Sequence, residues 1–443
     1  MGLAVSVSLC VARFVSVFAI LTEVALLQGA EKQKVRVSVD LGALQKGVVC
    51  ALAATPDVQS ITGHFTTPEQ LFAPEWNFRV HPFNEETKRD HDGRRRFVMK
   101  TCFLVCVALV SAALADAPKR GKTDNPSNSM NKNIFVLAIH GGAGTIERSK
   151  MTPDREREFR AGLENSLKAG YEVLKRDGSS LDATEAAVRL LEDDPHFNAG
   201  KGAVFTSAGT NELDAAIMDG KTLKAGAVAN LRHIKNPISL AHMVMDKSRH
   251  VFLAGEGAET FAKEHGVELV DQKYFFTRER WEALEKIKAA EKSGVSDAKR
   301  SIITDQDLHG TVGAVALDIN GDLAAATSTG GTTNKLPGRV GDSPIIGGGT
   351  YANNATCAIS ATGDGEYFIR ATVAHDISAL MEYRGMKLAD AAQAVLDKVA
   401  KLGGSGGVIA VDRQGNVAMP FNSSGMYRGY VGVDGKQVVE IYR

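Results

Sequence analysis

His309-Gly310-Thr311-Val312-Gly313-Ala314 is where the texture of this chain changes, and the rest is best read outward from it. Downstream, Thr311–Leu317 and Leu323–Thr329 are short apolar runs around Asp318-Ile319-Asn320-Gly321-Asp322, whose Asn-Gly is a hairpin signal. Ala358–Ala361 reads as another strand, Glu366–Tyr383 and Leu388–Lys401 as helices, and Gly407–Val411 with Asn416–Pro420 as a pair across Arg413-Gln414-Gly415. Upstream, Ser293–Asp307 is a polar linker and Phe276–Lys292 an exposed helix. Earlier still, Pro237 opens a helix through Met245, preceded by two strand-like runs, Leu213–Met218 and Ala225–Leu231.

A buried strand, Ile134–Ile139, ends in the loop His140-Gly141-Gly142-Ala143-Gly144. Two helices follow. One covers Asp154–Lys175, with Phe159, Leu163, Leu167, Tyr171 and Leu174 at helical spacing; the other covers Leu181–Leu191, capped at Ser179-Ser180. Strands, then helices, then strands on both sides of Gly310 predict an α+β sandwich in which helices cover a pair of antiparallel sheets.

The 52 basic and 52 acidic residues among 443 balance, which argues against a nucleic-acid binder. No His-Glu-x-x-His, phosphate-binding loop or G-x-S-x-G elbow occurs. Gly347-Gly348-Gly349 and Gly403–Gly407 read as tight turns rather than cofactor loops.

The N-terminal region reads separately. Met99-Lys100-Thr101, an apolar run Cys102–Leu114 and the exit Ala113-Leu114-Ala115 describe a secretory signal peptide over 99–115. Translation is then expected to begin at Met99, with 1–98 a non-native or disordered extension; the alternatives for 102–114 are a signal anchor or a buried strand. Residues 3–28 are apolar but broken by Arg13 and Glu23, and no stable membrane association is expected. Cleavage after Ala115 removes Cys10, Cys50, Cys102 and Cys106, so Cys357 remains alone and no intrachain disulfide can form. A secreted or lysosomal location follows, with Asn354 and Asn422 as glycosylation sequons.

Several segments carry a resemblance when taken in order. They are Ile139–Gly144, Phe197-Asn198-Ala199-Gly200-Lys201-Gly202, Glu212-Leu213-Asp214-Ala215 and His309–Ala314. Thr327-Ser328-Thr329-Gly330-Gly331, Pro337-Gly338-Arg339-Val340-Gly341-Asp342-Ser343-Pro344, Ala361-Thr362-Gly363-Asp364-Gly365-Glu366 and Pro420–Tyr427 continue the series. Together they closely resemble the plant-type asparaginase and isoaspartyl peptidase family of N-terminal nucleophile hydrolases. The resemblance implies a four-layer αββα sandwich, self-cleaved before Thr311 into an α subunit (116–310) and a β subunit (311–443), with two cleaved protomers paired as a homodimer.

It also implies roles. Thr311 would be the nucleophile, oriented by Thr329 and supported by Asn198 from the opposite subunit. Thr362 and Gly363 would form the oxyanion hole. Arg339 would clamp the substrate's α-carboxylate and Asp342 its α-ammonium, with Gly363 and Gly365 bordering the site. A structural sodium ion would be held by backbone carbonyls of Leu191, Glu192, Asp194, Phe197, Ala199 and Lys201. The substrates implied are L-asparagine and β-aspartyl dipeptides, with no cofactor needed for catalysis. The alternatives are an aspartylglucosaminidase acting on Asn-linked sugar, and a non-catalytic secreted binding protein on the same scaffold.

The chemistry stands on the residues themselves. A Thr hydroxyl is a weak nucleophile without a base. Cutting Gly310–Thr311 would give Thr311 a free α-amine of pKa about 7.7–8.0, so roughly a tenth is neutral at pH 7 and able to take the hydroxyl proton. Before the cut, the same hydroxyl can attack the Gly310 carbonyl, giving an ester that water opens. Glycine at 310 tolerates the distortion this requires. The linker 293–308 would let the new end withdraw. Taken alone, Arg339 and Asp342 would be an i,i+3 surface ion pair.

Overall fold

The structure, a computed structural model, describes residues 134–293 and 310–443. The extension 1–98, the signal peptide 99–115, the leader up to residue 133 and nearly all of the linker 293–308 lie outside the described residues.

An eight-stranded sheet forms the larger half, and its strands in chain order are β1 (Val136–Gly144), β2 (Leu213–Asp219), β3 (Ala225–Leu231), β4 (Phe252–Ala254), β5 (Val312–Leu317), β6 (Leu323–Thr329), β11 (Gly425–Gly432) and β12 (Gln437–Tyr442). Their order across the sheet is β12-β11-β1-β5-β6-β2-β3-β4, antiparallel except for the β3–β4 pair. A four-stranded sheet holds β7 (Thr350–Ala352), β8 (Cys357–Gly363), β9 (Gly406–Asp412) and β10 (Val417–Ala418), ordered β10-β9-β8-β7.

The two-residue period of these strands sorts their side chains into three cores. Leu137 and Ile139 of β1 and Val312 and Ala314 of β5 pack with Leu163, Leu167, Leu191 and Val244. These come from α1 (Pro153–Leu174), α2 (Ser180–Asp193) and α3 (Pro237–Lys247). The alternate residues, Ala138, Val315 and Leu317, meet Ala358, Ile409 and Val411 of the smaller sheet. That sheet's other face, Ile359, Ala361, Val408 and Ala410, packs with Phe368, Ile377 and Val395. These belong to α6 (Gly365–Ala371), α7 (Val373–Arg384) and α8 (Leu388–Lys401). Two further helices, α4 (Gly255–Glu264) and α5 (Arg278–Lys292), flank the larger sheet. Among the described residues no helix is long and apolar enough to cross a membrane.

The expected elements are present, with informative differences. The β1 strand runs on through the glycine stretch, because His140–Gly144 keeps pairing with β11 across a bulge while pairing with β5 stops at His140. The helix expected over Glu366–Tyr383 is two helices, broken at Thr372 in the left-handed region (φ 53°). There Gly347 and Gly348 carbonyls accept the His375 and Ala374 N–H groups, so this turn seats the start of α7. Helix α5 is amphipathic rather than exposed, burying Ala283, Leu284 and Ile287. The β4–α4 segment, β7 and the β11–β12 hairpin have no strong periodic signal, since glycines, short lengths and charges such as the Arg428–Glu440 pair interrupt them.

Candidate active site

Thr311 stands at the start of β5, 7 % exposed, where that central strand meets the end of β6. Register places Val312 opposite Ser328, which brings Thr329 beside it. Thr311 Oγ donates to Thr329 Oγ at 3.1 Å. Thr329 Oγ in turn donates to the Gly310 carbonyl at 3.3 Å and accepts the Gly331 N–H at 2.9 Å. The hydroxyl and the carbonyl it would attack thus share one partner.

Glycines make this approach feasible. Gly142 has φ +113°, and a Cβ there would lie 2.7 Å from Gly310 Cα and 3.3 Å from the Thr311 nitrogen. Only a residue without a side chain fits between β1 and the Gly310–Thr311 bond. Next to it, Ala143 N–H donates to Thr362 Oγ at 3.2 Å, which leaves that buried hydroxyl's proton to point elsewhere.

Asn198, from the segment before the Gly310–Thr311 bond, is placed against Gly310. It reaches the site within the same chain: a Cβ on Gly310 would lie 3.0 Å from Asn198 Cβ. Its amide donates to the Gly331 carbonyl at 2.7 Å and accepts the Val204 N–H at 3.0 Å, while its carbonyl accepts the Gly330 N–H. The loop after α2 that carries it folds back over the end of β6.

A cavity beside Thr311 is lined by Gly310, Thr311, Thr329, Gly331, Thr332, Arg339, Gly341, Asp342, Ser343 and Gly363. Arg339 and Asp342 both border it but do not form the simple surface pair. Arg339 is bound bidentately by Glu366, Nε to Oε1 at 2.9 Å and Nη2 to Oε2 at 2.8 Å. Asp342 is buried, its Oδ2 has no hydrogen-bond partner, and burial pushes its carboxyl up to about 7 despite the nearby Arg339. Gly365 packs against both: a Cβ there would lie 2.9 Å from Arg339 Nη2 and 3.0 Å from Asp342 Oδ1.

The loop carrying Arg339 is tethered from below. Glu212 accepts the Gly338 N–H and bonds Arg232, and buried Lys335 donates to the Glu212 carbonyl at 2.8 Å.

Sequence reasoning missed a polar chain behind Thr311. His140, fully buried, donates from Nδ1 to the Thr311 carbonyl at 2.9 Å, so Nε2 accepts from Ser360 Oγ at 2.9 Å. Ser360, Thr327 and Thr350 hydroxyls continue the chain at 2.6 and 2.7 Å. Burial drives the His140 pKa down to about 3, so the ring stays neutral and acts as a fixed hydrogen-bonding strut. The strand alternation of polar Thr327 and Ser360 at inward positions was the only available signal. Gly313 leaves room for it, since a Cβ would lie 2.0 Å from Ser360 Oγ and 2.4 Å from His140 Nε2. Gly313→Ala should therefore cost about 1–3 kcal/mol through overpacking. A lowered thermal midpoint together with slower cleavage at Gly310, followed by intact mass, would report both effects; an unchanged midpoint would refute the crowding.

Glu192 is a second buried group next to the site. Its Oε1 accepts Ser328 Oγ at 2.6 Å and the Ile238 N–H at 3.0 Å, and burial raises its carboxyl to about 8. It ties the end of α2 to β6 and α3. Beyond it the chain curls tightly: a Cβ on Gly200 would lie 2.3 Å from the Glu192 carbonyl oxygen, and one on Gly202 2.1 Å from that of Phe197. The carbonyls of Asp194, Phe197 and Ala199 each accept a backbone N–H within this curl.

Comparison with known proteins identifies the family. The family model described as asparaginase matches residues 133–441. The chain belongs to the asparaginase family.

A protein of Escherichia coli strain K12 named isoaspartyl peptidase is 54 % identical over 302 residues, spanning 67 % of this chain and 93 % of that protein. The Arabidopsis thaliana protein named probable isoaspartyl peptidase/L-asparaginase 2 is 42 % identical, over 70 % of this chain and 99 % of its own. One from Bos taurus, named isoaspartyl peptidase/L-asparaginase, is 42 % identical over 66 % of this chain and 91 % of its own. This asparaginase-family chain is therefore an enzyme, a hydrolase, and its matched region coincides with the described fold.

Proposed function

We propose that this enzyme cleaves itself before Thr311 and then hydrolyses the side-chain amide of L-asparagine and the β-aspartyl bond of dipeptides, releasing L-aspartate. The observation that carries the reading is the shared contact of Thr329 Oγ with the Thr311 hydroxyl and the Gly310 carbonyl. The two sheets and their flanking helices are then the four-layer αββα sandwich of an N-terminal nucleophile hydrolase.

In the first step Thr311 Oγ bonds to the Gly310 carbonyl carbon, and the C–N bond opens as the amide nitrogen takes up the hydroxyl proton. An ester remains beside the Thr311 amine just freed, and water divides that ester into a Gly310 carboxylate and the regenerated Thr311 hydroxyl. In turnover that amine takes the proton of its own Oγ as the hydroxyl attacks the substrate's side-chain carbonyl. The Thr362 hydroxyl and Gly363 N–H receive the developing oxyanion, a contribution of about 3 kcal/mol for one such donor. Ammonia or an amino acid leaves, and water releases L-aspartate. Arg339 takes the α-carboxylate, and the Asp342 Oδ2, lacking a partner inside the chain, takes the α-ammonium.

A structural sodium ion at the backbone carbonyls of 191–201 fits the chain here, because the last carbonyls of α2 have no helical partner and the curl presses them around Gly200 and Gly202. Among the residues named for it, the Leu191, Glu192 and Lys201 carbonyls suit the role best, the others already accepting N–H groups. The ion would neutralise the negative end of the helix and fix the loop that carries Asn198. We further propose the secreted or lumenal route set by residues 99–115, and a homodimer of cleaved protomers.

Intact mass after incubation, followed by ammonia release from L-asparagine and amino-acid release from β-aspartyl dipeptides, tests the reading. Two fragments, the smaller beginning at Thr311, with turnover on either substrate, would support it. An uncut, inactive chain would sink it, and preference for an Asn-linked sugar substrate would turn it to the aspartylglucosaminidase alternative.

The pH profile gives a sharper check. Both a neutral Thr311 amine, of pKa about 7.7–8.0, and an ionised Asp342 are needed, and burial holds Asp342 near 7. Below about pH 6, log kcat/KM for L-asparagine should fall with a slope near two. Asp342→Asn should lower the plateau and reduce that slope to one; a slope of two surviving the substitution would remove Asp342 from the site.

A further inference from the structure

We propose that Glu366 is a positioning residue that turns one edge of the Arg339 guanidinium toward the substrate and thereby sets selectivity for a free α-carboxylate; the inference rests on the reading above. The guanidinium plane offers two bidentate edges, one through Nε and Nη2 and one through Nη1 and Nη2. Glu366 occupies the first, with both bonds under 3 Å. The second edge then faces the cavity. Gly341 lies against it without a side chain, since a Cβ there would come 2.8 Å from Arg339 Nη1, and Gly365 lies below Nη2. A carboxylate entering the cavity beside Gly341 would meet Nη1 and Nη2 together, with Asp342 bordering the same space.

Burial separates the roles. The Arg339 side chain is 16 % exposed and borders the cavity, whereas that of Glu366 is 61 % exposed and does not. Glu366 thus touches no substrate and acts through Arg339. The ordinary alternative is a solvated ion pair of negligible consequence, the fate of most exposed pairs. Two features oppose it here: the paired bonds fix the guanidinium plane rather than its charge alone, and the arginine end is largely enclosed. Without Glu366 the guanidinium can rotate its long stem and present either edge or neither, so a substrate carboxylate must order it on binding.

The test compares wild type, Glu366→Gln and Glu366→Ala on L-asparagine and on its α-carboxamide analogue, with L-aspartate binding by calorimetry as a readout independent of turnover. Glu366→Ala should raise KM for L-asparagine and Kd for L-aspartate about tenfold, with kcat within about twofold, the scale of losing one charged hydrogen-bonded partner. The preference for L-asparagine over its carboxamide should shrink by the same factor. Glu366→Gln, which keeps one acceptor, should fall between. Unchanged KM and Kd would mean a solvated surface pair. Tighter binding would mean that Glu366 competes with the substrate carboxylate. A fall in kcat with KM intact would mean a general structural role. Each of these overturns the proposal, as does failure of wild type to bind L-aspartate. A wild type that binds L-aspartate but hydrolyses nothing would instead refute the hydrolase reading, and the Kd comparison would still judge Glu366.

Discussion

Thr311→Ala should leave a chain that never divides at Gly310 and that releases no measurable ammonia from L-asparagine. The hydroxyl is the attacking atom in both reactions, so one substitution removes both. The loss should be about 10⁴-fold or more, the scale seen when a nucleophile that works as a unit with its base is deleted. Local structure should survive, because Thr311 makes its strand contacts through the backbone: its carbonyl accepts from His140, and only its Oγ reaches Thr329. Thr311→Ser is the informative companion, since it keeps an oxygen nucleophile while losing the methyl that restricts χ1. It should divide more slowly and retain partial turnover. Intact mass and an ammonia assay on the same samples decide the matter. A Thr311→Ala chain that still divides before residue 311 would show that the cut is made by something other than this hydroxyl.

Arg339→Ala separates binding from cleavage. The bond at Gly310 is attacked by a group in its own chain, and nothing in that step calls on the guanidinium. Division should therefore proceed at the wild-type rate. Turnover should not: the α-carboxylate loses its clamp, and Glu366 and Asp342 are left facing it with no cation between them. Truncating one member of a charged, hydrogen-bonded set typically costs 2–5 kcal/mol, so kcat/KM for L-asparagine should fall by about 10²-fold or more, mainly through KM. Arg339→Lys should recover little, because an ammonium cannot satisfy Glu366 and a substrate carboxylate in fixed planes. Normal kcat/KM in the alanine variant would place the α-carboxylate elsewhere and remove the basis for the role given to Glu366.

Much of the fold was legible because its strands are short and their neighbours in sequence are neighbours in space. The Asn320-Gly321 turn announced the β5–β6 hairpin, with Gly321 at φ +79°. Ser179, read as a cap, accepts an N–H group at the start of α2. Elements whose pattern is set by distant partners were harder to read. His140–Gly144 looked like a loop because glycine is permissive, yet pairing with β11 keeps it extended. The break at Thr372 leaves little trace in local composition, since it is imposed by the Gly347–Gly348 carbonyls from another part of the chain. The β11–β12 hairpin is held by pairing to β1 rather than by an apolar run of its own.

The candidate site divides along the same line. Sequence by itself singled out the candidate residues: a glycine followed by a threonine at a strand start, a second threonine at the end of the partner strand, an arginine and an aspartate three apart, and glycines between them. The self-cleavage role of Gly310–Thr311 can be argued from chemistry, whereas the other roles are implied by the family resemblance that the ordered motifs carry. Tertiary structure decided what each group is poised to do. It buried Asp342 so that its carboxyl ionises near neutrality, placed Asn198 beside Gly310 within one chain, and gave Arg339 to Glu366 rather than to Asp342. It also put a neutral His140 behind Thr311. Burial and partner choice depend on which surfaces the two sheets bring together, and a linear pattern of residue types does not encode those distances.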